Sequence, residues 1–379
     1  MQVTTYIEYV GYANPKWNSQ TWVDKGIGGS EYCVIKLSEE LAKRGHSVYV
    51  VGDVEGCYVN KVTYIHHDVI INQGNNRGVN AIAFIEFDWV IAINYINYMK
   101  VLDDCNINFE KSLFWVHNEY WHNYYKGREL SNDEIVATLH DERLTKMICV
   151  SEWQVPLIKK EVNKALGYTP NNDHTYIQVI NNAIDPSDWE FIEDTKVKNR
   201  FIYSSATDRG LDNLLAMWPQ IKQGLPDATL VVCCPPYSER WGHVPDEQDG
   251  VTWKGALAPD DLYREISKAE YWLYPSKYPE TYCITALEMM MGGVKICSTN
   301  TGNLDSLLVG KGKIIDSGRI DSDVRQLMID VIFRDNGSCH DDKEFHYKWY
   351  EQTAINKFWV MNQSWDKRVN EWLQLMNTL

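Results

Sequence analysis

The sequence predicts a two-domain α/β protein with largely parallel sheets, and three observations carry that prediction. Short β-rich runs alternate with helical patterns along most of the chain, which means βαβ units. A polar stretch near the middle, "DPSDWEFIEDTKVKNR", interrupts the alternation and reads as a linker. The chain has 379 residues, too many for one ordinary hydrophobic core and enough for two.

In order, the first half reads as a strand "VTTYIEYV", a helix from Ser30, and the strands "SVYVVG", "DWVIAIN", "SLFWVH" and "KMICVS". A helix from Glu152 and the run "YIQVINNAI" complete it. After the linker come "RFIYSSA", a helix through "LDNLLAMWPQI", "ATLVVCC", "VTWKG" and a helix from Pro259. "AEYWLYPS", a helix from Thr281, "VKICST" and "GKIID" follow. Beyond about Ser338 the pattern becomes a helical tail, with Phe358, Met361, Trp365, Val369, Trp372 and Met376 three or four residues apart. That spacing predicts one apolar face packed against the protein. The expected domains are residues 1–185, joined by a returning helix at about 355–379, and residues 186–354.

Composition narrows the function. Hydrophobic residues make up 44% of the chain, and the formal charge of −15 argues against nucleic acid or an anionic membrane as a partner. Nine cysteines without a CxxC pair, most of them inside apolar runs, suggest buried free thiols in a reducing compartment. No apolar run approaches the roughly 18 residues needed to cross a bilayer, and the N-terminus lacks a basic leader. A soluble cytoplasmic protein without a transmembrane segment is the expectation. Fifteen Trp and 23 Tyr would suit sugar stacking, although a large core is their commoner use.

The chemistry-bearing residues gather after strands. "YPETYCITALEMMMGG" places Glu280 in the loop after a strand and Glu288 in the helix that follows, closed by Gly292 and Gly293. In open α/β sheets that end of the strands is where ligands bind. Simple helix-dipole complementation by Glu280 would contribute only about 0.3–1 kcal/mol. "GIGGSE" opens a helix with Gly28 and Gly29, whose backbone can approach a phosphate. It is not a dinucleotide fingerprint, because Glu31 stands where the third glycine would be. Arg209, in the turn of "YSSATDRGLDNLL", can grip a phosphate oxygen through charge-assisted hydrogen bonds. Lys277 could add a second positive charge, and His117 ends a strand of the first sheet. The only D-x-D, Asp321-Ser322-Asp323, begins a predicted helix, where capping explains it better than a metal does.

Taken together, this order resembles the family 4 glycosyltransferases. "GGSE" looks like that family's Gly-rich loop, "WVHNEYW" sits where it has its His, and "VINNAID" resembles its Asn-Gly-Val-Asp segment. "TDRGLDNLL" resembles its basic-Gly-Leu helix start, and "ETYCITALE" fits its E-x7-E motif. The resemblance covers most of the chain. It implies the GT-B fold, two Rossmann-like domains with parallel sheets facing across a cleft, the C-terminal helix packing back on the N-terminal domain.

The resemblance also implies a retaining hexosyltransferase that needs no metal and no cofactor beyond its donor substrate, a nucleotide diphosphate sugar. Glu288 would accept hydrogen bonds from the ribose hydroxyls and Glu280 would face the transferred sugar. Thr281, Tyr282 and Cys283 would offer backbone N–H groups to the donor, and His117 and Arg209 would serve at the reacting centre. GDP-mannose is the expected donor, with UDP-sugars behind it, and the acceptor is expected to be a glycan, glycoprotein or lipid. A homodimer is left open. One departure stands out: the family usually carries an Arg five residues before its basic residue, and here that position is Ser204. Lys277 or the Gly28 and Gly29 amides would then carry more of the diphosphate's charge. The rivals are a sugar-nucleotide 2-epimerase of the same fold and an inactive nucleotide-sugar or glycan-binding protein.

Overall fold

The computed structural model describes residues 2–9, 16–71, 82–125, 128–168, 176–193, 195–236, 238, 247–337 and 343–379. These residues cluster into two compact units. One comprises residues 1–21, 29–182 and 368–379, the other residues 22–28 and 183–367.

The first unit is built on an eight-stranded sheet. Its strands are β1 (Thr4–Tyr9), β2 (Ser47–Gly52), β3 (Cys57–Val59), β4 (Val62–His66), β5 (Glu86–Ile93), β6 (Asn108–Val116), β9 (Leu144–Cys149) and β10 (Ile177–Val179). A separate two-stranded ribbon pairs β7 (Tyr124–Tyr125) with β8 (Arg128–Glu129). The sheet order is β10-β9-β6-β5-β1-β2-β4-β3, parallel throughout except for the β3–β4 pair. The short hairpin-like pair at the β3 edge gives too brief a pattern to stand out in sequence. The helix expected from Ser30 runs Gly29–Lys43, and Cys33, Val34, Leu37 and Leu41 on its inner face are fully buried.

β1 carries an acid in an apolar setting. Glu8 pairs in register with Val51 and Ala92, is buried, and its Oε2 has no hydrogen-bond partner among the described residues. Burial alone pushes its pKa up to about 8. A carboxyl with a raised folded-state pKa lowers stability as pH climbs from the unfolded value, near 4.5, to about 8. Glu8→Gln is therefore expected to leave the unfolding midpoint nearly unchanged at pH 4 and to raise it at pH 9. Denaturant titrations at the two pH values check this, and an equal effect at both would mean that the acid ionises as readily in the folded protein as in the unfolded chain.

The second unit has six strands, all parallel: β11 (Arg200–Ser204), β12 (Thr229–Cys233), β13 (Val251–Gly255), β14 (Tyr271–Tyr274), β15 (Lys295–Thr299) and β16 (Lys313–Ile315). Their order is β13-β12-β11-β14-β15-β16. The chain builds outward from β11 in one direction and then crosses to β14 to build in the other, so the topological switch point lies between these two strands. Every residue of β14 and β15 is buried, as expected of strands covered on both faces. Stacked rings fill the space beneath: Phe201 on Tyr271 at 4.9 Å and Trp272 on Tyr274 at 4.5 Å. The linker forms a short 3-10 turn, Pro186–Trp189, whose Trp189 stacks on Tyr263 at 4.3 Å.

Three expectations need correction. The helix expected from Thr281 starts three residues later, as Ile284–Met291, because Cys283 takes a left-handed conformation with φ 71° that no helix interior accepts. The acids of Asp321-Ser322-Asp323 do not cap their helix. That helix, Asp321–Asp335, begins at Asp321 with Ile320 at the cap position and no side-chain cap bond, so Asp321 and Asp323 lie in the first turn and complement the dipole instead.

The tail is two helices rather than one. Lys343–Val360 ends in a turn where Gln363 and Trp365 bond to either side of Ile184, and a second helix, Trp365–Thr378, follows. Trp365, Val369, Trp372 and Met376 share the buried face of the second helix, whereas Phe358 and Met361 are exposed. From Arg368 onward the last helix clusters with the first unit, where Trp372 meets Trp115 edge-on at 4.9 Å. Six tryptophans are among the largest fully buried side chains, so the aromatic load serves the core.

Candidate active site

The residues with chemistry in the second unit meet at the carboxyl ends of β11 and β14, which is the switch point. Gly210 makes the meeting close. It has φ +92°, and a Cβ there would lie 2.5 Å from the Pro275 carbonyl oxygen. With no side chain in the way, the start of helix Leu211–Gly224 approaches the backbone of the loop after β14. Arg209, the residue before it, consequently lies over the Tyr278 ring, its guanidinium carbon 2.9 Å from the ring centre. Its Nη1 is buried with no hydrogen-bond partner among the described residues, and the Asp208 carboxylate is 3.5 Å away.

Glu280 is fixed from two sides. Its backbone bridges to Gly302, where a Cβ would fall 2.4 Å from the Glu280 carbonyl oxygen, and that oxygen accepts the Asn303 N–H at 2.7 Å. Its carboxylate Oε1 accepts a hydrogen bond from the Tyr274 hydroxyl at 2.7 Å. Burial raises the Glu280 pKa, opposed by the Tyr274 hydrogen bond and by the charge of Arg209. The loop itself is held at Ser276, whose carbonyl accepts the hydroxyls of Thr299 and Thr301.

Downstream, Tyr282 and Cys283 are buried and Thr281 is half-buried. Burial also keeps the Cys283 thiol protonated, which makes it a packing group and not a nucleophile. Glu288 lies in the second turn of helix Ile284–Met291. Burial, and secondarily the Asp188 carboxylate of the linker, lift its pKa to about 7. Lys277 is turned elsewhere: it pairs with Asp321 at 2.5 Å and its side chain is half exposed. Ser204 ends β11 and is buried.

The first unit holds the remaining candidates. His117 follows β6, its backbone N–H donates to Asn94 Oδ1 at 2.7 Å, and its ring meets Trp115 edge-on at 4.2 Å. Burial lowers its pKa to about 3, so the ring is neutral at physiological pH and serves as a hydrogen-bonding group. Gly29 opens its helix in this unit, whereas Gly28 clusters with the second. Neighbouring Gly26 explains that assignment, since with φ +68° it lies against the Leu257 carbonyl, where a Cβ would be 2.4 Å from the oxygen.

Asp53, His66 and His67 bring three possible metal ligands together. The hydrogen bonding favours another role. His66 Nδ1 accepts the Asp68 N–H at 3.2 Å, so the ring proton sits on Nε2, 3.1 Å from Asp53, the nitrogen a metal would need bare.

Sequence reasoning missed Tyr274, Ser205, Tyr278 and Asp188. Tyr274 reads as one more apolar residue of a buried strand, and only its position at the strand end hints that its hydroxyl must find a partner.

Residues 199–328 match the family model described as "Glycosyl transferases group 1". No curated protein matches the sequence. Among solved structures, the chain is similar over its full length to HepE of Anabaena in complex with UDP-glucose, at 12% identity, with all of that chain covered and a TM-score of 0.63. It is similar to sucrose-phosphate synthase of Thermosynechococcus elongatus at 14% identity, covering 100% of this chain and 99% of that one, with a TM-score of 0.63. WaaG, a glycosyltransferase involved in lipopolysaccharide biosynthesis, matches at 12% identity over 99% of each chain, with a TM-score of 0.63. At these identities the likeness of structures concerns the fold, and the fold is shared from end to end.

Proposed function

We propose that the chain is a group 1 glycosyltransferase, a reading supported by the family match over residues 199–328 and by the fold of its whole length, and that it transfers a hexose, with retention, from a nucleotide diphosphate sugar. One observation carries this reading: Arg209 and Glu280 converge at the carboxyl ends of β11 and β14, the switch point where open α/β sheets bind ligands.

Breaking the bond between C1 and the phosphate oxygen moves negative charge onto the diphosphate. Arg209, with an unbonded donor at the site, stabilises that charge as it develops. The backbone N–H groups of Thr281, Tyr282 and Cys283 and the Gly28 and Gly29 amides bind the donor's oxygens. Ser204 lines the position where an Arg is usual in the family. Lys277 contributes less, because its charge is already paired with Asp321. Glu280 orients the sugar and His117 hydrogen-bonds it. The acceptor hydroxyl attacks the same face of C1 that the diphosphate leaves, and its proton passes to the departing phosphate oxygen. Both carboxylates act by binding, so their spacing need not match that of a glycosidase pair.

The resemblance favours GDP-mannose as donor, and the UDP-glucose complex of HepE supports a UDP-sugar. Calorimetric titration with both, alongside UDP-N-acetylglucosamine and ADP-glucose, tests the reading. Binding of none by the folded protein would refute it.

The ribose assignment makes a pH prediction. Glu288 must be ionised to accept two hydroxyl hydrogens, and its pKa stands at about 7. Donor affinity is thus expected to rise roughly tenfold between pH 6 and pH 8. Glu288→Gln should be weak at both values and flat between them. A wild-type affinity that does not change over this range would remove Glu288 from the ribose.

A further inference from the structure

We propose that Tyr274, supported by Ser205, is a positioning residue that aims the Glu280 carboxylate at the transferred sugar. The inference rests on the reading of Glu280 given above and adds to it a hydroxyl chain that the sequence does not advertise.

Tyr274 is the last residue of β14 and is completely buried. Its ring stacks on Trp272, and its hydroxyl donates to Glu280 Oε1 at 2.7 Å. Ser205 follows β11, and its Oγ lies 3.1 Å from the same hydroxyl. The two strands that flank the switch point are therefore joined by a chain of hydroxyls ending on the Glu280 carboxylate, whose charge Arg209 also feels. A phenol that donates to a carboxylate favours its charged form and fixes the direction of its second oxygen. Tyr274 keeps its own proton, since burial and the neighbouring Glu280 charge hold its pKa far above the ordinary phenol value.

The groups that bear on Glu280 come from three places. Asp208 and Arg209 face it from the turn after β11, Tyr203 and Tyr274 from the strands, and Cys283 from its own loop. Arg209 and Tyr274 lower its pKa and Asp208 raises it. Only Tyr274 is hydrogen-bonded to its carboxylate among these. Its removal is expected to change both the direction and the titration of the acid.

Tyr274→Phe keeps the ring and its stack on Trp272 and removes only the hydroxyl. In protein labelled with carboxyl-13C glutamate, the Glu280 resonance is identified by its loss in Glu280→Gln. Its titration midpoint is expected to move up by about one unit in Tyr274→Phe, and in the same direction by less in Ser205→Ala. Release of nucleoside diphosphate from GDP-mannose or UDP-glucose should fall about tenfold in kcat, with donor Kd within about twofold. The effect should vanish when Tyr274→Phe is made in the Glu280→Gln background, as a residue acting through another requires. A midpoint unmoved in Tyr274→Phe overturns the proposal, and Ser205→Ala provides the same readout if the phenylalanine variant does not fold. Wild-type turnover in Glu280→Gln would instead overturn the underlying reading of Glu280. An inactive Glu280→Gln beside an unchanged Tyr274→Phe would sink only the role given to Tyr274.

Discussion

Replacing Arg209 with alanine is expected to lower nucleoside diphosphate release from the bound donor by about a hundredfold to a thousandfold, while donor affinity falls only a few-fold. Among the described basic residues near the switch point, Arg209 alone has this position. Lys277 is paired with Asp321, and Arg200, at the amino end of β11, is paired with Glu265. Arg209 instead presents a buried Nη1 without a hydrogen bond, 3.5 Å from the exposed Asp208 carboxylate, and its guanidinium lies over the Tyr278 ring. A cation held ready where charge grows contributes more to the transition state than to the ground state, so kcat should suffer more than binding. Arg209→Lys should fall between wild type and alanine, because it keeps the charge and loses the planar fork. Steady-state kinetics with a parallel binding titration separates the two effects. Equal losses in affinity and turnover would make Arg209 a general binding residue.

The second large effect is expected at Gly210. An alanine there meets two obstacles at once: φ is +92°, and its Cβ would lie 2.5 Å from the Pro275 oxygen, 2.7 Å from the Pro275 carbonyl carbon and 2.9 Å from the Ser276 nitrogen. All three atoms are backbone, so none can turn aside. Gly210→Ala should destabilise the protein by about 3 kcal/mol or more and displace Arg209 from the site even where the fold survives. Gly310 is the control, since it has φ +68° but nothing within 4 Å of a Cβ. Gly310→Ala should cost about 1 kcal/mol from conformation alone. Denaturant unfolding of the pair distinguishes close approach from strain, and equal losses would mean that the contact with Pro275 adds nothing.

Much of this architecture is legible in one dimension, for identifiable reasons. β14 reads as a strand because a parallel strand covered on both faces is an unbroken apolar run, and "YWLY" is one. The Gly29–Lys43 helix shows itself through Cys33, Val34, Leu37 and Leu41 on one stripe. Glu280 and Glu288 are visible because loop and helix bring them to one end of a strand by local geometry alone. The short pieces were not legible: helix Ser19–Lys25 and strand β3 are too brief for periodicity to register, and β4, "VTYIH", has no unbroken apolar run. The tail misled because Phe358 and Met361 keep the helical spacing of the residues after them, although the helix stops between the two sets.

The sequence by itself determined the alternation of strands and helices, and with it the parallel sheets and the end of each strand at which ligands bind. It also determined which residue types reach that end, because hydrophobic period and turn chemistry act over a few residues. Tertiary structure alone decided which of those residues meet. Lys277 turns to Asp321, 44 positions away, while Arg209 crosses to Tyr278, and Tyr274 finds Glu280 and Ser205 on either side of it in sequence. Such pairings depend on strand order and on the absence of a side chain at Gly210. Neither quantity has a local signature, since both arise only when separate segments pack within a few ångströms of one another.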